Sequence, residues 1–160
     1  ALTQTGTIGL VGTEATIRQA YVDDLEARFA SDKRLLRLAA PGLVGAAEAK
    51  LRGQAVDPAL IADVRDRLAA LAEGAPAIDT LVLACTHFPL LCDELAAAFG
   101  PEVRQVDGAA GIARRIAHLL DGQSFAASGA NRFVVTGPLA GAAGLERALA
   151  ARGFGAAEAF

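Results

Sequence analysis

The chain has 160 residues, enough for one domain with a substantial core, or for one domain and part of another. At 53% hydrophobic and 21% charged, with one Tyr, seven Phe and no Trp, it carries no signature of disorder. A net charge of −3, with acids and bases alternating as in Asp63-Val64-Arg65-Asp66-Arg67, argues against a nucleic-acid or membrane surface.

Thr7-Ile8-Gly9-Leu10-Val11 reads as a buried strand ending at Gly12. A helix is expected over 14–30, with Ile17, Tyr21, Leu25 and Phe29 at helical spacing. Thr13 suits its N-cap, and Glu14 suits the positive end of its dipole. Arg34 to Ala39 is a weaker strand, closed by Pro41-Gly42, and a short helix over 43–51 is stopped by Gly53. A longer helix begins at Pro58, carries Leu60, Ile61, Val64, Leu68 and Leu71 on one stripe, and ends at Glu73-Gly74.

Thr80-Leu81-Val82-Leu83-Ala84 is the strongest strand signal, and its unbroken apolar character predicts a strand covered on both faces. Then come a helix over 89–99, a strand over 102–106, a helix over 109–121, a strand over 132–135 and a last helix over about 139–152. Asp121 to Ala130 is the most linker-like stretch. This alternation predicts an α/β fold with a mostly parallel sheet flanked by helices. Ligands of such folds bind beyond the carboxyl ends of the strands. That singles out Gly12-Thr13, Cys85-Thr86-His87, Asp107-Gly108 and Thr136-Gly137.

No apolar run approaches the roughly 20 residues of a membrane span, and no secretory leader is expected. Two cysteines are too few for a disulfide scaffold, so a reduced, cytoplasmic protein is expected. Cys85 stands between a buried strand and a helix N-terminus, where a positive field favours the thiolate. Free cysteine is also among the most buried residue types, so a core role stays open. A zinc site of Cys85, His87 and Cys92 lacks a fourth ligand and the usual spacing. A Cys-His hydrolase would have only His118 as a distant base, and that residue reads as an ordinary helix-face histidine.

Four blocks in order carry a resemblance: IGLVGTEATIRQAY (8–21), APGLVGAAE (40–48), ACTHFPLL (84–91) and QVDGAAGIA (105–113). They resemble, respectively, the Gly-Thr-x-x-Thr strand-loop-helix, a Pro-x-x-Val-x-x-x-Glu segment, the second catalytic-cysteine motif and the segment after it in glutamate racemases of the aspartate/glutamate racemase superfamily. The Cys-Thr-His-aromatic-Pro-Leu string is the specific one.

The resemblance implies cofactor-independent interconversion of L- and D-glutamate for peptidoglycan, with no metal. Two thiols, one from each of two similar α/β domains, would work on opposite faces of Cα. Cys85 would be the one acting on the L-enantiomer, assisted by His87, with Glu48 as a carboxylate near the site. Thr86 would bind substrate, and Thr13 and Thr16 match the Gly-Thr-x-x-Thr pattern, although a cap and a helix-face role account for them equally.

The Asp-Ser-Gly, Tyr-Gly and Ala-Cys-Asn-Thr motifs of the family's first half are not in this sequence. Cys92 cannot flank Cα from the face opposite Cys85, and reads as a structural thiol. Residues 1–104 are therefore expected to form one racemase domain, and 105–160 to hold segments that would complete another. That tail is expected to pack loosely or to pair with another chain, as a homodimer or with the missing N-terminal portion. RGQAVDPALIADVRDRL (52–68) reads as a surface insertion. The other readings are a module that binds glutamate or a protein partner without catalysis, and an aspartate or hydantoin racemase. His87 favours glutamate.

Overall fold

The computed structural model describes residues 2–124, 131–142 and 144–160. Its centre is a four-stranded, all-parallel sheet in the order β2-β1-β3-β4, formed by β1 (Thr7–Gly12), β2 (Arg34–Ala39), β3 (Thr80–Ala84) and β4 (Arg104–Val106). One face takes every second residue of the strands. Val11, Leu36, Leu38, Leu81 and Leu83 are buried there against α3 (Gly42–Leu51), α4 (Pro58–Leu71), a 3-10 turn (Phe88–Leu91) and α5 (Cys92–Phe99). Leu43, Leu68, Phe88, Leu91 and Leu95 are fully buried in this layer, and each contributes about 1.5–3 kcal/mol of apolar burial. A Cβ on Gly9 would lie 3.2 Å from Leu81 Cδ1 and 3.3 Å from Leu68 Cδ1, so glycine lets α4 sit close on the strand.

The opposite face is only half covered. Ile8, Leu10, Leu35, Val82 and Ala84 are partly exposed, which corrects the expectation that β3 is covered on both sides. The single helix expected over 14–30 is also two pieces, α1 (Glu14–Ile17) and α2 (Ala20–Phe29), joined through Arg18 and Gln19. Ile17, half-buried, lies close to Gly12, and the buried Val22 comes five positions later. An unbroken helix repeating every 3.6 residues could not turn both to the sheet. Arg37 of β2 pairs with Asp23, at 2.6 Å, and with Glu26, tying the acidic side of α2 to the sheet edge. The apolar stripe is left outward, with Tyr21 51% and Phe29 72% exposed.

At the other end of the strands, Asp79 clamps the residues before β1. Its carboxylate accepts from Thr3 Oγ1 at 2.7 Å, Gln4 N at 2.6 Å, Thr5 N at 2.8 Å and Thr80 Oγ1 at 3.0 Å. Burial works against its charge, but these donors outweigh it and hold the carboxyl well below the usual carboxylate range.

Beyond Val106, α6 (Ala109–Leu119) is exposed along its length, including Ile112, Ile116 and Leu119. A second, two-stranded parallel sheet joins β5 (Asn131–Val135) to β6 (Phe154–Ala159). The last helix, expected over 139–152, is instead a 3-10 turn (Leu139–Ala142) and a short α7 (Glu146–Ala150), separated at Gly144 with φ +86°. β6 was not expected, because Gly and Ala in FGAAEA carry no strand signal. Ala142 is the one fully buried residue of the tail among the described residues. Within the linker-like stretch, 125–130 lie outside the described residues. Among the described residues no helix is long and apolar enough to cross a membrane.

Candidate active site

The parallel register brings the carboxyl ends of the strands together. Gly12 pairs with Ala39 on one side and with Ala84 on the other, so Thr13 and Cys85 leave neighbouring strand ends. Val82 pairs with Val106, which sets Asp107 beside the end of β3. Between these ends lies a cleft of about 510 Å³, lined by Tyr21, Cys85, Thr86, Asp107, Gly108 and Ile112 among others.

Cys85 is half-buried and Thr86 is exposed at the rim. Cys85 Sγ lies 3.9 Å from His87 Nδ1, and His87 Nε2 lies 3.0 Å from Glu48 Oε1. Glu48 Oε2 accepts in turn from Arg52 Nη1 at 2.5 Å, and the same nitrogen donates to the Glu48 backbone carbonyl at 3.1 Å. The local folding explains this chain of contacts. Leu43 and Ala47 bury one face of α3 against the core, which packs α3 against the 3-10 turn and brings Glu48 to His87. Helical spacing then sets Arg52 four residues on, over the Glu48 carboxylate. The Arg52 guanidinium, and next the His87 imidazole, hold the Glu48 carboxyl below its ordinary range, against its burial.

An ionised Glu48 takes the proton on His87 Nε2 as a hydrogen bond. The lone pair of the neutral ring is then on Nδ1, facing the thiol. His87 can therefore accept the Cys85 proton and leave a thiolate beside an imidazolium at the cleft.

Of the residues named from sequence, Cys85, His87 and Glu48 are joined in one hydrogen-bonded chain, with Thr86 beside the thiol. His87 and Glu48 sit behind Cys85 and do not line the cleft. Thr13 and Thr16 bond to each other instead: Thr16 N donates to Thr13 Oγ1 at 3.3 Å, and the two hydroxyl oxygens are 3.0 Å apart. Thr13 is thus the N-cap of α1, and Thr16 lines an adjoining cleft that shares Tyr21 and Ala84 with the first.

The helix expected to begin at Pro89 begins as α-helix only at Cys92, after the 3-10 turn. The side chain within reach of the Cys85 thiol is the His87 ring. Cys92, the first residue of α5 rather than one turn into it, is partly buried against the core, and burial followed by Asp107 and Asp93 pushes its thiol up. Among the described residues no three His, Cys, Asp or Glu gather as a metal would require. His118 is exposed on α6 and lines no part of the cleft. Arg52 was not foreseen, though its position four residues after Glu48 was the available signal.

No protein-family model matches the chain. The glutamate racemase of Sphingopyxis alaskensis is 60% identical over 126 residues, 79% of this chain and 47% of that protein. The glutamate racemase of Pectobacterium carotovorum is 44% identical over 119 residues, 74% of this chain and 41% of that protein. Among solved structures, Escherichia coli glutamate racemase in complex with L-glutamate and the activator UDP-MurNAc-ala is 35% identical with a TM-score of 0.88. That match covers 99% of this chain and 59% of the solved one. The chain belongs to the glutamate racemase family and spans about half the length of the curated relatives it matches.

Proposed function

We propose that this chain supplies one half of the proton-transfer site of a cofactor-independent glutamate racemase, which makes D-glutamate from L-glutamate in the cytoplasm for peptidoglycan. The observation that carries the reading is the hydrogen-bonded series Cys85, His87, Glu48 and Arg52, with the thiol at a cleft beyond the strand ends. The Cα proton of an amino acid is poorly acidic, so its removal needs a positioned base and stabilisation of the charge that develops.

Cys85, deprotonated by His87, takes the Cα proton of L-glutamate and becomes a thiol. Glu48 stabilises the imidazolium, and Arg52 keeps Glu48 ionised. Thr86 at the rim, and Thr13 and Thr16 at the neighbouring strand end, offer hydroxyl and backbone N–H groups to the substrate carboxylates. Inversion requires a second acid on the far face of Cα to return a proton. Cys92 is on the wrong side, so the second thiol comes from a partner, the N-terminal half of a racemase polypeptide or a second copy. In this reading residues 1–104 form one racemase domain and 105–160 help to complete the other.

The test is deuterium incorporation from solvent at Cα of L- and D-glutamate, with circular dichroism to follow inversion. Exchange into L-glutamate without inversion, abolished in Cys85→Ala, is the expected result. No exchange into either enantiomer would overturn the reading, and full racemisation by this chain alone would overturn its half-site form.

A further inference from the structure

We infer that Asp107 is the group that holds the α-ammonium of the amino-acid substrate at the Cys85 cleft. This rests on the racemase reading above and assigns a specificity residue within it. The ammonium is bonded to Cα itself. Whatever anchors it must therefore stand within a few ångströms of the thiol that takes the Cα proton.

Asp107 is the one carboxylate among the described residues that line the cleft with Cys85 and Thr86. Its position follows from the sheet. β4 ends at Val106 opposite Val82, and adjacent strands lie about 4.8 Å apart, so Asp107 and Cys85 leave neighbouring strand ends into the same space. One of its oxygens accepts from Ala109 N at 2.7 Å, which fixes the side chain at the start of α6. Its other oxygen has no hydrogen-bond partner among the described residues.

The rest of the lining is largely apolar, with Tyr21, Leu83, Pro89 and Ile112 around the two polar ends. Asp107 is itself exposed at the rim of the cleft, where its carboxylate can meet an ammonium through a charge-assisted hydrogen bond. Keeping the amine protonated beside Cα also favours loss of the Cα proton, because the retained positive charge stabilises the carbanion.

The test is calorimetric binding of L-glutamate and of glutarate, which has the same two carboxylates and no amine, to the 160-residue chain and to Asp107→Asn. Asparagine keeps an oxygen for Ala109 N, so the helix start is retained. The unsubstituted chain should bind L-glutamate about tenfold or more tightly than glutarate, and D107N should lose that preference by weakening glutamate alone. Equal weakening of both ligands, or undiminished preference in D107N, would overturn the assignment while leaving Cα exchange by Cys85 intact. No binding and no exchange in the unsubstituted chain would overturn the racemase reading itself, and this assignment with it.

Discussion

Replacing Asp79 by asparagine should destabilise the four-stranded domain by about 2 kcal/mol at neutral pH. The side chain is far from the cleft, so this effect is one of stability alone. The carboxylate accepts from two backbone N–H groups, of Gln4 and Thr5, and from the hydroxyls of Thr3 and Thr80. Asparagine can turn its amide oxygen to the two N–H groups, and the hydroxyls can rotate to accept from its NH₂. What is lost is the charge, and charge-assisted bonds are about twice as strong as neutral ones, so about 1 kcal/mol goes at each N–H.

The sign with pH follows from the lowered carboxyl of the folded state. A depressed folded value contributes stability that is present above the unfolded value, near 3.9, and is lost as pH falls toward the folded one. The gap between the unsubstituted chain and D79N should therefore narrow by about 1 kcal/mol between pH 5 and pH 3. Urea unfolding followed by circular dichroism at both pH values measures it. A gap under about 0.5 kcal/mol at pH 7, or one that does not change with pH, would refute the clamp.

Phe88→Ala, which empties a fully buried site three residues from Cys85, should cost about 3–5 kcal/mol in chemical unfolding. Gly9→Ala should lower the thermal midpoint, since its Cβ would stand 3.2–3.3 Å from Leu81 and Leu68; an unchanged melt would mean that α4 yields freely. Arg52→Met removes the main group that holds the Glu48 carboxyl low, so Glu48 should protonate at higher pH. The acid limb of Cα exchange should then move upward, and an unmoved limb would separate Arg52 from the proton chain.

The central strands were legible in the sequence because burial and the parallel ladder need the same apolar residues. Arg34 to Ala39 and Thr80 to Ala84 have the expected bounds, and α3 and α4 start within one residue of expectation. On α4, Ile61, Val64 and Leu68 are buried as their spacing predicts, and Leu71 at the end of the stripe is exposed. The placing of Cys85 was legible as well, since a strand that stops at Ala84 delivers the next residue to the ligand side of the sheet.

Local pattern failed where a distant partner decides the outcome. The stripe of Tyr21, Leu25 and Phe29 has helical period, but Arg37 draws the acidic side of α2 to the sheet instead. β6 exists because β5 offers it a ladder, not because its residues prefer a strand. The 3-10 turn after Cys85 takes the place of the expected helix start at Pro89, so the α-helix begins only at Cys92.

By itself, then, the sequence determined a parallel α/β sheet, a cysteine at the end of its central strand and the family to which that motif belongs. Only the tertiary structure decided that His87 meets Glu48 across 39 residues of chain, with Arg52 behind it, and that Asp107 shares the cleft with the thiol. The physical reason is one of range. Period and propensity act over a few neighbours, whereas a hydrogen bond between α3 and the turn after β3 exists only once both have packed on one core.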